Sequence, residues 1–305
     1  MDVPLSMQEK NYIIDGASDG IRNDGRGLFD YRPIVLETGV LSSTNGSARV
    51  RIDTTDVLVG IKAEMTAVDD SSCCANRLKF YVDCSAIASP KFAGRGGSEF
   101  GEEIARILYT AFDHDDVLPQ MKKLVLGQTF MWTINVDIVI LQFGGNVMDA
   151  VSLAVKAALA DTEICEVIVR PADEGKIMLD LPDETHTWTF DISSVPLVIG
   201  ICRIGEQNVI DPTEIEEACA SSSLFVSVVV PARNTSTKTT LDDQCYLTCV
   251  RKSKGGSLEV ESIQDMISAA VRSARNLNVA LEARLKQESN GKNTKHNQSL
   301  KSFLR

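Results

Sequence analysis

Hydrophobic positions along this chain follow two alternating regimes. Between residues 34 and 85 the period is two. "SARVRID" sets Ala48, Val50 and Ile52 against Ser47, Arg49 and Arg51, and "DVLVGIKAEM" is rich in β-branched residues. The pattern predicts strands over 34–37, 47–53, 56–66 and 78–85, with turns at Asn45-Gly46 and Thr54-Thr55. From residue 98 the period lengthens. Phe100, Ile104, Leu108 and Phe112 recur every four residues, which predicts a helix over 98–113 with Ser98 as N-cap. "MWTINVDIVIL" then reads as a buried strand ended by Gly144-Gly145. "NVMDAVSLAVKAALADT" reads as a helix capped by Asn146, and its small face of Ala150, Ala154, Ala157 and Ala158 predicts close packing on a sheet.

The alternation repeats. Strands are expected near 164–170, 176–180, 187–191, 196–203, 207–211, 223–231 and 244–251, and a long helix over about 259–287. The stretch "KQESNGKNTKHNQSLKSFLR" is polar and aperiodic, with five basic residues against one acid, and reads as a disordered basic tail. The resulting division is an N-terminal segment over 1–30, a first half over 31–170, a second half over 171–287 and the tail over 288–305. A chain of 305 residues suits one large domain or two fused smaller ones.

Composition narrows the function classes. Hydrophobic residues make up 44%, enough for a substantial core. Apolar runs are broken within about a dozen residues, short of the ~20 that cross a bilayer, so no membrane role is expected. The start, "MDVPLSMQEKNYIIDG", has no basic segment followed by an apolar one, and no secretory signal is expected. Net charge is −11, the reverse of a free-standing nucleic-acid binder; RNA contact would need a local basic patch shared with partners. Of eight cysteines, Cys84, Cys165, Cys202, Cys245 and Cys249 lie in apolar runs, and His114, His186 and His296 are scattered. Reduced thiols and no zinc site are the expectation, with no other metal or cofactor implied.

Two stretches carry candidate chemistry. In "DPTEIEEACASSSLFVSVVV", Asp211, Glu214, Glu216 and Glu217 precede three serines and a strand. Clustered acids there suit a magnesium site or a general acid. The competing reading is a helix start, with Asp211 as N-cap, Pro212 at N1 and Glu214 near the positive end of the dipole. In "FAGRGGSEFGEE", glycines before a helix can cradle a phosphate, but Glu99, Glu102 and Glu103 would repel one. Arg95 there either reaches outward to RNA or sits in a flexible loop. Lys62, Arg77 and Lys79 read as strand charges facing solvent.

Five segments together resemble RNase PH-type proteins. "IRNDGRGLFDYRP" is similar to that family's Asp-Gly-Arg opening followed by Arg-Pro, and "NGSARVRIDTTDVLVGIKAEM" to its first hairpin. "FAGRGG", "VDIVILQFGGNVMDAVSLAVKAAL" and "VIDPTEIEEACASSSLFVSVV" follow in order, so that the likeness runs over roughly 20–270. Within the family the pattern is that of the ring subunits of the eukaryotic RNA exosome. The resemblance implies an α/β (α+β) RNase PH fold: two pseudo-repeated βαβα halves with mixed sheets packed on helices. It implies a heterodimer with another RNase PH-type exosome subunit, three pairs closing a six-membered ring. It further implies S1/KH-type cap subunits, an associated nuclease that receives threaded RNA, roles in rRNA maturation and mRNA turnover, and residence in nucleus, nucleolus and cytoplasm.

Active relatives phosphorolyse RNA from its 3′ end, which needs arginines to hold phosphate and carboxylates for the leaving oxygen or a metal. Where they carry Gly-Glu-Arg-Thr, this chain has Gln128, Thr129, Phe130 and Met131; where they follow paired glycines with Thr-Arg, it has Asn146-Val147. No arginine lies between Lys123 and Arg170. One acid of the pair is kept, in Glu216 or Glu217, and the second position falls in Ser221-Ser222-Ser223. The expectation is a catalytically inert subunit with no catalytic or metal-binding residue. Arg106 follows Ala105 on the predicted helix, as in ring subunits whose Ala-Arg faces a partner's catalytic pocket; it is either an RNA contact or a solvated charge beside Glu102 and Glu103. The rivals are an active phosphate-dependent 3′-to-5′ exoribonuclease, for which the arginine and the second acid are missing, and an unrelated enzyme of small metabolites. No Gly-x-Gly-x-x-Gly or P-loop pattern supports the latter.

Overall fold

The period-two segments of the first half pair into one sheet. The computed structural model describes residues 5–303 except 68–76, 113, 115, 127–129, 172–176, 181–185, 232–244 and 254, with side chains for all of these but 67, 169–171, 177–179 and 289–303. Helix α1 (Met7–Ser18) is closed at its start by a capping box between Ser6 and Glu9. Strands β1 (Ile34–Thr38), β2 (Gly46–Ile52), β3 (Thr55–Ala67) and β4 (Leu78–Cys84) precede α2 (Gly96–Phe112), and β5 (Val125–Leu126) and β6 (Phe130–Gln142) lead into α3 (Val147–Asp161). The sheet order is β1-β2-β3-β6-β4, with β5 also on β6. Only β4 and β6 run parallel, so this sheet is mixed.

The β2–β3 hairpin follows its sequence pattern. Ala48, Val50 and Ile52 are buried, while Arg49 on the other face donates to Asp56 at 3.0 and 2.6 Å. The tight turn is Asp53-Thr54 rather than Thr54-Thr55, because Thr55 already pairs with Ile52. Asp53 takes the left-handed φ of 50°, a conformation that aspartate tolerates. Helix α2 starts at Gly96, ahead of the expected cap Ser98. Its glycines let its backbone press on the sheet: a Cβ on Gly97 would lie 2.5 Å from the Cys84 carbonyl, and one on Gly101 2.6 Å from that of Val82. Ile104 and Leu108 are buried as expected, joined by Ile107 and Ala111, with Phe100 and Phe112 half-buried at the margin.

The second half begins with short strands β7 (Glu163–Cys165), β8 (Ile168–Pro171), β9 (Ile177–Asp180) and β10 (Thr187–Thr189), which form two-stranded sheets β7–β10 and β8–β9. Then come β11 (Leu197–Ile204), β12 (Gln207–Ile210), α4 (Glu214–Cys219), β13 (Ser222–Val229), β14 (Tyr246–Ser253) and α5 (Val260–Phe303). The four-stranded sheet has the order β12-β11-β13-β14 and is antiparallel throughout, so of the two large sheets only the first is mixed. Helix α5 does not stop near 287. It continues to Phe303 across the stretch expected to be a disordered tail. Its first half is anchored by buried Met266, Ala270, Ala274 and Leu281, and once a helix is nucleated, extending it through residues such as Lys, Gln and Glu costs little.

Helix α3 lies between the two large sheets, and every residue from Val147 to Leu159 is buried. The alanine face expected to pack on one sheet does so against β2 and β3, while the opposite side meets β11 and α5. Polar residues of α3 are therefore interior, and each finds a partner there. β12 pairs with β11 only over Ile201–Ile204, leaving earlier β11 amides on that side to other acceptors. The Val198 N–H donates to Ser152 Oγ at 2.7 Å, and the Gly200 N–H to Asp149 Oδ1 at 2.6 Å. Lys156 donates to the Val195 carbonyl at 2.7 Å and to Asn278 Oδ1 at 2.8 Å. One apolar core runs from Leu36 to Leu281, so the halves share it; α1 adds a small cluster of Ile13 and Ala17 on Ile204 and Val209. The described cysteines are free thiols, Cys84 and Cys202 buried among them. Among the described residues no helix is long and apolar enough to cross a membrane.

Candidate functional site

Three of the segments singled out in the sequence converge where the halves meet: residues 22–32, the Gly144–Asn146 turn, and residues 210–223. At their centre is Asp211, fully buried and with a left-handed φ of 48°. Arg32 reaches it with its backbone N–H at 2.7 Å, Nε at 3.0 Å and Nη2 at 2.8 Å. Arg26 Nη1 adds a bond at 3.0 Å and Asn146 Nδ2 another at 2.8 Å. Burial pushes the Asp211 carboxyl up, but the Arg32 bonds and charge outweigh it and hold the group below its ordinary value. The remaining Arg32 donors go to the carbonyls of Gly144 (2.9 Å) and Gly145 (3.1 Å). Arg22 forms a bidentate pair with Glu216 and also donates to the Ile210 and Asp211 carbonyls at 3.0 and 2.7 Å.

Asp211 is thus not the cap of α4. That position belongs to Thr213, whose side chain accepts from the Glu216 N–H while Glu216 reaches back to the Thr213 N–H. Pro212 precedes the cap, and Glu214 pairs with Lys91 at 2.9 Å. Asn146 precedes α3 as expected, but with a φ of 53° and no side-chain capping bond, because its amide is turned to Asp211. Its own N–H donates to Glu217 Oε1 at 2.7 Å. A helix N-terminus attracts anions, and here an internal carboxylate occupies that place. The paired glycines permit the approach: a Cβ on Gly145, at φ 88°, would lie 2.6 Å from the backbone of Thr213 and Glu214.

Residues 127–129, including Gln128 and Thr129, lie outside the described residues. Phe130 and Met131 open β6 half-buried, paired with Ala67 and Thr66. Ser221 Oγ donates to the Arg203 carbonyl at 3.1 Å, and Ser223 is buried. Ser222 is fully buried and its hydroxyl has no partner among the described residues. Behind the Gly144–Asn146 turn a cavity of about 110 Å³ opens between α2, β11 and β13, lined by Phe100, Ile107, Phe143, Met148 and Phe225, with Glu103 and Glu217 in its wall. Beside it Asp149 accepts from Tyr31 Oη at 2.6 Å as well as from Gly200; burial pushes Asp149 up to about 7.

Arg95 and Arg106 take no part in this network. Arg95 is exposed in the loop before α2, and Arg106 is exposed on α2 itself. Among the described residues no ion pair joins Arg106 to Glu102 or Glu103; Glu103 accepts from Ser253 Oγ at 3.1 Å. Lys62 is exposed beside Glu64 at 3.7 Å. Arg77 departs from its expected solvated place: it is half-buried and donates to the Met121 carbonyl at 2.7 Å. No group of three or more His, Cys, Asp or Glu among the described residues is arranged to hold a metal. Residues 16–20, "GASDG", have the Gly-x-Ser-x-Gly spacing of a nucleophile elbow, but Ser18 ends helix α1, where an elbow serine follows a strand, and donates to the Ile14 carbonyl at 3.0 Å.

Sequence reasoning quoted the Asp-Gly-Arg and Arg-Pro segment without assigning roles to Arg22, Arg26 or Arg32. The signal available was the excess of arginines in a short loop of an acidic chain.

Comparison with known proteins places these residues in a family. The model of the 3′ exoribonuclease family (RNase PH), domain 1, matches residues 30–165, and that of domain 2 matches residues 194–273. A curated relative from Dictyostelium discoideum, "Putative exosome complex exonuclease RRP42", is 31% identical over 73% of this chain and 84% of its own length. "Exosome complex component Rrp42" of Pyrococcus abyssi (strain GE5 / Orsay) is 27% identical over 88% of this chain and 91% of its own. Among solved structures, a chain of "Archaeal exosome core" superposes with a TM-score of 0.68 at 23% identity, covering 90% of this chain and 96% of that one, a likeness of fold.

Proposed function

Because the chain belongs to the RNase PH-type 3′ exoribonuclease family, we propose that it is a non-catalytic ring subunit of an RNA exosome core. It pairs with a second RNase PH-type subunit, and three such pairs close a six-membered ring capped by S1/KH-type subunits. RNA passes through the ring to an associated nuclease for 3′-to-5′ processing, in rRNA maturation and mRNA turnover, in nucleus, nucleolus and cytoplasm. Support comes from the relatives named Rrp42 and from the exosome-core fold.

The observation that carries the inert reading is the internal neutralisation of the cleft. Phosphorolysis needs free cationic donors to hold phosphate against an anionic chain. Here Arg32 and Arg26 are bound to Asp211, Arg22 to Glu216, and the N-terminus of α3 to Glu217. The strand that follows Glu217 opens on buried Ser222 and Ser223, with no acid there. Phosphate would meet carboxylates and phenyl rings. Arg95 and Arg106, exposed and clear of the cleft, are the proposed RNA contacts. The test is to incubate the purified chain with RNA bearing a free 3′ end, phosphate and magnesium, and to look for nucleoside diphosphates. None are expected; turnover that tracks the protein through purification overturns the inert reading.

A further inference from the structure

The cavity between α2, β11 and β13 has the size and lining for one uncharged ring. Its volume of about 110 Å³ is of the order of the roughly 150 Å³ of an apolar cavity that takes up benzene, which sets a single ring as the size limit. Most of its wall is hydrocarbon, contributed by Phe100, Ile107, Phe143, Met148 and Phe225. Phe100 and Phe143 already meet edge to face, with centroids 6.1 Å apart at 83°, the arrangement that aromatic pairs favour. The two acids in the lining are compensated within the chain. Glu103 accepts from Ser253 Oγ at 3.1 Å; Glu217 accepts from the Asn146 N–H at 2.7 Å and interacts electrostatically with Arg32. A charged guest of either sign would therefore be buried without a counter-ion. The Ser223 hydroxyl is a different case. Ser223 and Phe225 stand two apart on β13 and share the strand face that looks onto the cavity. Ser223 is 7% exposed, and among the described residues no side-chain hydrogen bond engages its hydroxyl.

We propose that this cavity binds a neutral single-ring aromatic compound bearing one hydroxyl, of the class of phenol. The ring lies among Ile107, Met148 and Phe225, and its hydroxyl hydrogen-bonds with Ser223 Oγ, which both donates and accepts. Burial of the ring supplies most of the affinity, and the Met148 sulfur adds a contact that aromatic rings favour. The serine admits a polar group that a purely hydrocarbon cavity shuts out, because a hydroxyl buried without a partner loses its bonds to water. Binding there requires neither ring assembly nor RNA.

Phenol, toluene, benzamidinium and benzoate share one ring and differ in hydrogen bonding and charge, so they separate the contributions. Each is titrated into the full chain while methyl resonances of Ile107 and Met148 are followed by NMR. Phenol and toluene are expected to shift both methyls saturably, and the two ions to leave them unmoved. Ser223→Ala should weaken phenol about fivefold, the worth of one neutral hydrogen bond, and leave toluene unchanged. Ser223→Leu, which fills the cavity from β13, should abolish both ligands; where the larger side chain prevents folding, Ser223→Ala tests the contact by itself. The proposal is overturned by an absence of saturable shifts with phenol, by equal losses for phenol and toluene in Ser223→Ala, by shifts that survive in a folded Ser223→Leu chain, or by either ion binding as tightly as phenol.

Discussion

Arg32 grips Asp211 through three N–H donors although the two residues stand 179 positions apart. The contact joins the segment entering the first sheet to the turn between β12 and α4, at the seam of the two halves. Both side chains are nearly inaccessible, so the pair is a structural tie and its arginine is unavailable to an anionic ligand.

Asp211→Asn should therefore be strongly destabilising. It would leave Arg32, and most of Arg26, buried beside a neutral amide, and removing one member of a buried pair costs about 3–5 kcal/mol. Urea denaturation of wild type and variant measures the difference. A loss below about 1 kcal/mol would mean that the arginines relax to water. Because the folded carboxyl is held below its ordinary value, its stabilisation is present above that value and disappears as pH falls through the folded one.

Asp149 should contribute a slope of opposite sign. Burial raises its carboxyl to about 7, so between about 4 and 7 the folded chain keeps a proton that the unfolded chain has released. Stability should fall with rising pH across that window, by at most about 1.4 kcal/mol per pH unit for one proton. Asp149→Asn should remove that component from the pH profile of unfolding free energy. An unchanged profile would show that Tyr31 and Gly200 keep the group ionised.

Lys156 sits on two neutral acceptors in the core, and burial lowers its ammonium to about 8. Between about 8 and 10.5 the unfolded chain binds the proton that the folded one lacks, so stability should rise with pH there. Lys156→Met should abolish that rise. Persistence of the rise in the variant would assign it to another group.

Arg106→Ala should leave folding and ring assembly intact and weaken binding of single-stranded RNA by the assembled ring. Loss of one phosphate contact flattens the salt dependence by about one unit. Affinities at several salt concentrations, wild type against variant, provide the measure. Equal slopes and affinities would return Arg106 to a solvated charge.

Part of the candidate site was legible beforehand and part was not. The gaps opposite the family's arginine and second acid are matters of residue identity, visible without coordinates at Asn146, Val147 and Ser221–Ser223. Asp211 was misread because Asp-Pro before an acidic turn is a local helix-start signal, and local signals say nothing of an arginine 179 positions away. The cap passed to Thr213, whose capping box with Glu216 satisfies the same amides.

The chain's own pattern gave most strands of both halves, the buried stripe of α2 and the place of α3, because one-sided burial imprints a period of two or 3.6 on a segment; the single strand expected near 164–170 is instead β7 and β8, which pair in different sheets. Tertiary structure alone decided what lies in the core of α3. Asp149, Ser152 and Lys156 would mark an exposed face on a helix covered from one side; sandwiched between two sheets, they become interior groups bonded to β11, Val195 and α5. It also decided the start of α2, set by backbone contact at Gly97 and Gly101, and the carboxylates that fill the cleft. Which distant groups meet depends on how the sheets stack, and stacking leaves no period in the sequence.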